Sequence, residues 1–133
     1  MQAYRDGDYT EALAQWTPLA EAGMAEAQFN LGLMHFSGKG VERNYEKAID
    51  WYRAAADQGI GEAQFNLGNM YEKGLGVEPD DVQAHFWFNL AREFRFPGAK
   101  KRKRQVADRM DDREIALAEL MYRQWKSKYK ENS

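Results

Sequence analysis

The sequence predicts an all-α protein: an α-solenoid of helix-turn-helix repeats, wound as a right-handed superhelix and finished by C-terminal capping helices. Three observations carry this. Residues 25–58 return 36 positions later as residues 61–94, with 15 of 34 positions identical, and a period in this range marks a stacked-repeat architecture. Within each copy the apolar residues recur at helical spacing. Glycines interrupt that spacing at the same places in both copies, as turns between helices require.

Taken in order, residues 1–5 read as the last turn of a helix that starts upstream, ended by Gly7. Asp8 caps the next helix, about residues 9–22, and Glu11 three positions on completes a capping box. Ala12, Leu13, Trp16, Leu19 and Ala20 form its apolar face. Pro18 removes one backbone hydrogen bond and predicts a kink or a restart. Gly23 closes the segment as a left-handed cap.

Helix A of the first full repeat is expected over residues 25–36. Ala27, Leu31 and Met34 make its stripe, and Gly32 admits a close neighbour. Gly38-Lys39-Gly40 breaks it, and Val41 is expected between the helices. Asn44 caps helix B, about residues 45–57, with Ala48, Trp51, Tyr52 and Ala55 facing inward and Gly59 at its end. The second repeat copies this. Helix A covers about residues 62–72, with Ala63, Leu67, Gly68 and Tyr71. Gly74, Gly76 and Val77 form the loop. Asp80 opens helix B, with Gln83 as its box partner and Ala84, Trp87, Phe88 and Ala91 as its stripe. The segment after Gly7 shares the register: Asp8, Asn44 and Asp80 are 36 apart, as are Ala12, Ala48 and Ala84, and Trp16, Tyr52 and Phe88.

This gives one domain over residues 1–133: an N-terminal half-repeat (1–24), two repeats (25–60 and 61–96) and a helical cap (97–133). The register is expected to fail after Arg95, at Pro97-Gly98. A basic helix follows, about residues 99–110. Lysines in a first turn oppose the helix dipole, which favours a later start and a basic loop. Asp111 and Glu114 box the last helix, about residues 112–129, with Ile115, Ala118, Leu120, Met121, Tyr122 and Trp125 as its apolar positions. Residues 131–133 are expected to fray.

Composition limits the function classes. With no cysteine in the chain, disulfide and thiolate chemistry are excluded. No apolar run is long enough to span a bilayer. No secretory leader is visible at Met1, and both the bacterial periplasm or envelope and the cytoplasm stay open. Charge is uneven: residues 1–99 carry 8 Lys/Arg against 15 Asp/Glu, and residues 100–133 carry 11 against 6. An acidic body with a basic end is able to orient a charged partner or another copy of the chain.

The recurring pattern is LG–x(2)–Y/H, then G–x–G–V, A–x(2)–W and AA. It is carried by Ala27, Leu31, Gly32, His35, Gly38, Gly40, Val41, Ala48, Trp51, Ala54 and Ala55. One period later it is carried by Ala63, Leu67, Gly68, Tyr71, Gly74, Gly76, Val77, Ala84, Trp87, Leu90 and Ala91. This resembles the Sel1-like repeat, a relative of the tetratricopeptide repeat with a longer loop. Two departures stand out: His35 replaces the usual tyrosine, and Leu90 and Arg92 replace alanines. The resemblance implies a scaffold or adaptor that binds a protein or peptide. It implies no enzyme activity, and many bacterial members act in the envelope.

The same resemblance places Phe29, Leu33, Phe36, Phe65, Asn69, Glu72 and Lys73 on a concave wall of A helices, apolar near the first repeat and polar near the second. Such a wall suits a short amphipathic peptide or a partner's helix. The recurring amides Gln28, Asn30, Gln64 and Asn66 read as structural hydrogen bonds. The run Lys100 to Arg104 is a candidate for nucleic acid or an anionic surface, but no aromatic residue interleaves it, and it reads first as solvated surface. His35 and His85 occupy non-equivalent positions and read as packed rings, so no metal site is expected. No catalytic motif and no cofactor are implied. The alternative to partner binding is self-assembly into a homo-oligomeric, envelope-associated structure.

Overall fold

The computed structural model describes residues 8–132. The helix turn expected at residues 1–5, with Gly7, and the end of the expected frayed tail at Ser133 lie outside them. Among the described residues the chain forms seven helices and no strand. They are α1 (Tyr9–Glu21), α2 (Ala25–Ser37), α3 (Tyr45–Ala56), α4 (Gly61–Lys73), α5 (Asp81–Glu93), α6 (Ala99–Ala107) and α7 (Asp112–Glu131). Each of α2 and α4 packs against the helix that follows it, α3 against α4, and α5 also against α6 and α7.

The pairing within a repeat depends on a missing side chain. A Cβ built on Gly32 would stand 2.5 Å from the Tyr52 ring, and one on Gly68 would stand 2.6 Å from Phe88. Only glycine lets helix A come this close to the aromatic ring of helix B. Tyr52 and Phe88 are accordingly 1% and 0% exposed. Burying such a ring contributes about 1.5–3 kcal/mol relative to leaving it in water.

The turns repeat with equal fidelity. Gly38 and Gly74 end the A helices at φ +75° and +72°, a conformation costly for residues with a Cβ. The amide of Asn44 then donates to the His35 carbonyl at 2.8 Å, and that of Asp80 to the Tyr71 carbonyl at 2.9 Å. The side chains of Asp8, Asn44 and Asp80 accept from the third backbone amide of their helices. Among the described residues the reciprocal half of a capping box forms only at Asp111–Glu114. At the first helix Glu11 instead accepts from the Gln15 amide.

Neighbouring repeats are joined by an amide. Gln28 Nε2 donates to the Ala20 carbonyl and Gln64 Nε2 to the Ala56 carbonyl, each at 3.1 Å. These glutamines reach back to the end of the preceding B helix, as the structural reading of the repeated amides expects. The Gly-x-Gly loop of each repeat also rests on the start of the preceding B helix. A Cβ on Gly40 would meet Tyr9, and one on Gly76 would meet Tyr45.

Several expectations are corrected. Pro18 lies within a helix that continues to Glu21, so no restart occurs. Leu19 and Leu120 are exposed, at 36% and 43%, and so do not join the buried faces of their helices. Ile49 and Ala56 join the core of α3, while Trp51 is only half-buried. The basic run is helical from Ala99 and leaves no loop. The register also outlasts Arg95. Ala99 and Val106 are both 0% exposed, and they stand 36 residues after the buried Ala63 and Met70. The chain from Met70 to the cap Asp80 spans 10 positions, whereas that from Val106 to the cap Asp111 spans 5. α6 is thus a third A helix whose Gly-x-Gly loop has been lost, and α5 is buried at eight successive positions, Ala84 to Ala91, between its neighbours.

Alanine at Gly32 or Gly68 tests the pairing. Helix propensity alone would favour alanine by about 1 kcal/mol, whereas forcing a methyl into a filled contact costs about 1–3 kcal/mol. Urea unfolding of Gly68→Ala is expected to show a net loss of stability, with the midpoint below that of the parent chain. An unchanged or raised midpoint would remove the ring–glycine contact from its central place.

Candidate partner-binding face

The seven residues of the expected wall divide into two groups. Phe29, Leu33 and Phe36 project from α2 and gather, half-buried, around the core that holds Tyr52. Phe29 lies 5.8 Å from the Tyr52 ring, and Phe36 lies 5.3 Å from Tyr45 and 6.4 Å from Tyr52. They fill space between helices and still keep part of their surface in solvent.

In the second group Phe65 and Glu72 meet the chain's own α6. Phe65 packs at a tilt against Phe88 and Phe96, at 5.4 and 4.7 Å between centroids. Arg102 of α6 hydrogen-bonds Glu72 and places its guanidinium 4.9 Å from the Phe88 ring centroid. Arg109 donates to Glu72 Oε2 at 2.9 Å and to Asp81 Oδ1 at 2.9 Å. The two carboxylates raise the pKa of Arg109 above its usual value, with Asp81 the larger cause. Asn69 is half-buried with its Oδ1 unpartnered among the described residues, and Lys73 is exposed. The Arg102–Glu72–Arg109–Asp81 network was not legible in the sequence, where Arg102 belongs to a charge run that reads as surface. The buried Ala99 and Val106 were the available signal, because they continue the period.

Within the basic run, Lys100, Lys101 and Arg104 face solvent, while Arg102 and Lys103 are drawn inward. Lys103 stands one period after Leu67, a core leucine. Burial lowers its pKa, the positive charge of Arg92 adds to this, and Glu119 opposes it. Facing it on α5 is His85, 2% exposed, with Nδ1 unpartnered among the described residues. Burial lowers the His85 pKa, with Lys103 contributing and Glu119 again opposing. Asn89 beside them accepts from Arg92 Nε at 2.9 Å. This polar filling replaces the aliphatic layer of the earlier repeats.

At its far end α7 returns to the first repeat. Trp125 Nε1 donates to Asp57 Oδ1 at 2.8 Å, and Trp125 stacks on Tyr129 with centroids 4.9 Å apart. A cleft of about 560 Å³ lies there, lined by Asp57, Gln58, Trp125, Lys128, Tyr129 and Asn132. Among the described residues no helix is long and apolar enough to cross a membrane.

Paired helices, a constant step and an amide joining each full repeat to the helix before it define an α-solenoid repeat protein, a class in which surface rather than an enclosed site does the binding. The Sel1 repeat family model matches residues 25–60 and 61–93, and the chain belongs to the Sel1 repeat family. Sel1 repeats generally mediate protein–protein interaction and typically form non-catalytic scaffolds. No curated protein gives a significant match. Among solved structures, it is similar to a protective antigen of uropathogenic Escherichia coli with an SLR fold. Identity there is 33% and the TM-score 0.85, over 96% of this chain and 28% of the antigen. It is also similar to a Sel1 repeat protein from Oxalobacter formigenes, at 30% identity and TM-score 0.73, over 91% of this chain and 58% of that one. The chain therefore spans only part of the length of either protein.

The buried histidine makes stability depend on pH with a definite sign. His85 is held neutral in the fold because its pKa lies below the ordinary value near 6.5. As pH falls through about 6.5 the unfolded chain takes up a proton that the folded chain refuses, so stability drops. His85→Asn lacks this proton. Its melting temperature should fall less than that of the parent between neutral pH and the folded-state pKa. Equal falls in both proteins would contradict this assignment.

Proposed function

We propose that the chain is a non-catalytic interaction module that holds an amphipathic segment of a partner protein along its A helices. The contact centres on the first repeat. What supports this reading is the part-exposed cluster of Phe29, Leu33 and Phe36, next to a second repeat whose matching surface is taken up by α6 through Phe65 and Glu72. An apolar seat that gives way to Asn69 and the exposed Lys73 suits a segment with one greasy and one acidic or polar end. The usual role of the fold agrees with binding.

Peptides selected against the parent chain from a displayed library test this. Leu33→Glu is expected to weaken the selected peptides by about tenfold or more, as loss of an apolar anchor does, while circular dichroism keeps its helical signal. Phe36→Glu provides the same test at a second position. Retained binding in both folded variants would refute the assigned face.

A second reading, self-association, draws on Leu117 and Leu120 of α7, which are 51% and 43% exposed. The acidic body and basic end complement each other head to tail. Sedimentation over a wide concentration range is expected to show mass rising with concentration and reverting in Leu117→Lys. A constant monomer mass would dismiss it.

A further inference from the structure

The two full repeats differ most at a place where one is filled and the other is open. In repeat 2, Arg53 reaches across from α3. Its Nη2 donates to the Tyr71 hydroxyl at 2.8 Å, and its guanidinium lies 5.8 Å from the Trp87 ring centroid. Phe86 packs edge-on against Trp87, with centroids 4.7 Å apart, and Leu90 is fully buried nearby. Trp87 is itself only 2% exposed.

Thirty-six residues earlier, the positions of Arg53, Tyr71, Phe86, Trp87 and Leu90 are held by Thr17, His35, Asp50, Trp51 and Ala54. Thr17 is too short to cross between helices, and its hydroxyl turns back to the Leu13 carbonyl at 2.6 Å. Asp50 and Ala54 leave the room that Phe86 and Leu90 occupy. The outcome is a cleft of about 420 Å³ lined by His35, Lys47, Asp50, Trp51 and Ala54. Trp51, unlike Trp87, stays half-buried.

We infer that this cleft receives the guanidinium of an arginine side chain presented by a partner polypeptide. The protein supplies the precedent, since Arg53 fills the matching space of repeat 2 from within. The lining has the chemistry a guanidinium needs. The indole of Trp51 offers a π face to a planar cation. The Asp50 carboxylate makes no salt bridge among the described residues, and it accepts forked N–H donors. His35 stands in register with Tyr71 and lines the cleft with its ring, while its Nδ1 is buried. Burial, and then Lys47, lower the His35 pKa, so the wall it forms is a neutral ring that adds no positive charge. The exposed Lys47 offsets the charge of Asp50, so a compact ammonium gains little here. Selection falls to planar stacking and forked donation, which arginine has and lysine lacks. None of these residues belongs to the A-helix face described above, so the two readings stand or fall separately.

The test follows the Trp51 indole N–H by NMR while acetyl-Gly-Arg-Gly-amide, or its lysine counterpart, is titrated into the chain at low ionic strength. A saturable shift is expected with the arginine peptide, and binding about fivefold weaker with lysine. Asp50→Asn should weaken the arginine response. Thr17→Arg should abolish it by filling the cleft from within, and should melt at a higher temperature than Thr17→Ala. An unresponsive Trp51, equal responses to the two peptides, or a folded Asp50→Asn or Thr17→Arg variant that binds like the parent would each overturn the inference.

Discussion

The contact between a glycine on helix A and an aromatic ring on helix B sets the geometry of each repeat. Gly32 faces Tyr52 and Gly68 faces Phe88, each so closely that no methyl fits between them. Because the ring presses against the glycine of its partner, the interhelical distance in the two units is held by the equivalent contact. The glutamine that bonds the preceding helix end carries that spacing into the next unit. Steric exclusion thus fixes the pair, and a directional hydrogen bond fixes the step from one pair to the next.

The third unit shows how far this scheme stretches. α6 keeps the small and the medium apolar residues of an A helix, Ala99 and Val106, at the expected spacing. It substitutes Lys103 for a core leucine and Arg104 for the close-approach glycine. Without that glycine α6 cannot seat a ring in the manner of α2 and α4. Its attachment passes instead through Arg102 and Arg109 to Glu72 and Asp81. Charge-assisted bonds replace part of the apolar contact, and α7, anchored by Trp125 on Asp57, ties the end of the stack back to its middle.

Since the repeats share their core, what distinguishes them lies in side chains that the period leaves free to vary. Phe36 faces Tyr45, whereas its counterpart Glu72 holds two arginines. Thr17 bonds its own helix, whereas its counterpart Arg53 bridges two repeats. The same backbone therefore presents an apolar seat and an open cleft in one repeat and filled surfaces in the next. The surfaces of such a stack are set by departures from the repeat, while its core is set by adherence to it.

The helix content, the helix caps and the two-repeat register were determined by the sequence alone. They rest on local rules: glycine where a helix must end, Asp or Asn where one begins, and apolar residues at the helical period. Phe29, Leu33 and Phe36 were singled out by the resemblance to the tetratricopeptide repeat and not by these rules. The local rules were silent on Arg102 and Glu72, and on Trp125 and Asp57, which lie 30 and 68 residues apart. They also stopped one helix too early, since five residues missing from a loop conceal a period that Ala99 and Val106 preserve. Which charges of the basic run turn inward, and which surfaces of the A helices stay open, was decided only by how α6 and α7 fold back on the stack. That outcome depends on contacts between distant segments, and spacing along a chain does not encode which of its distant parts will meet.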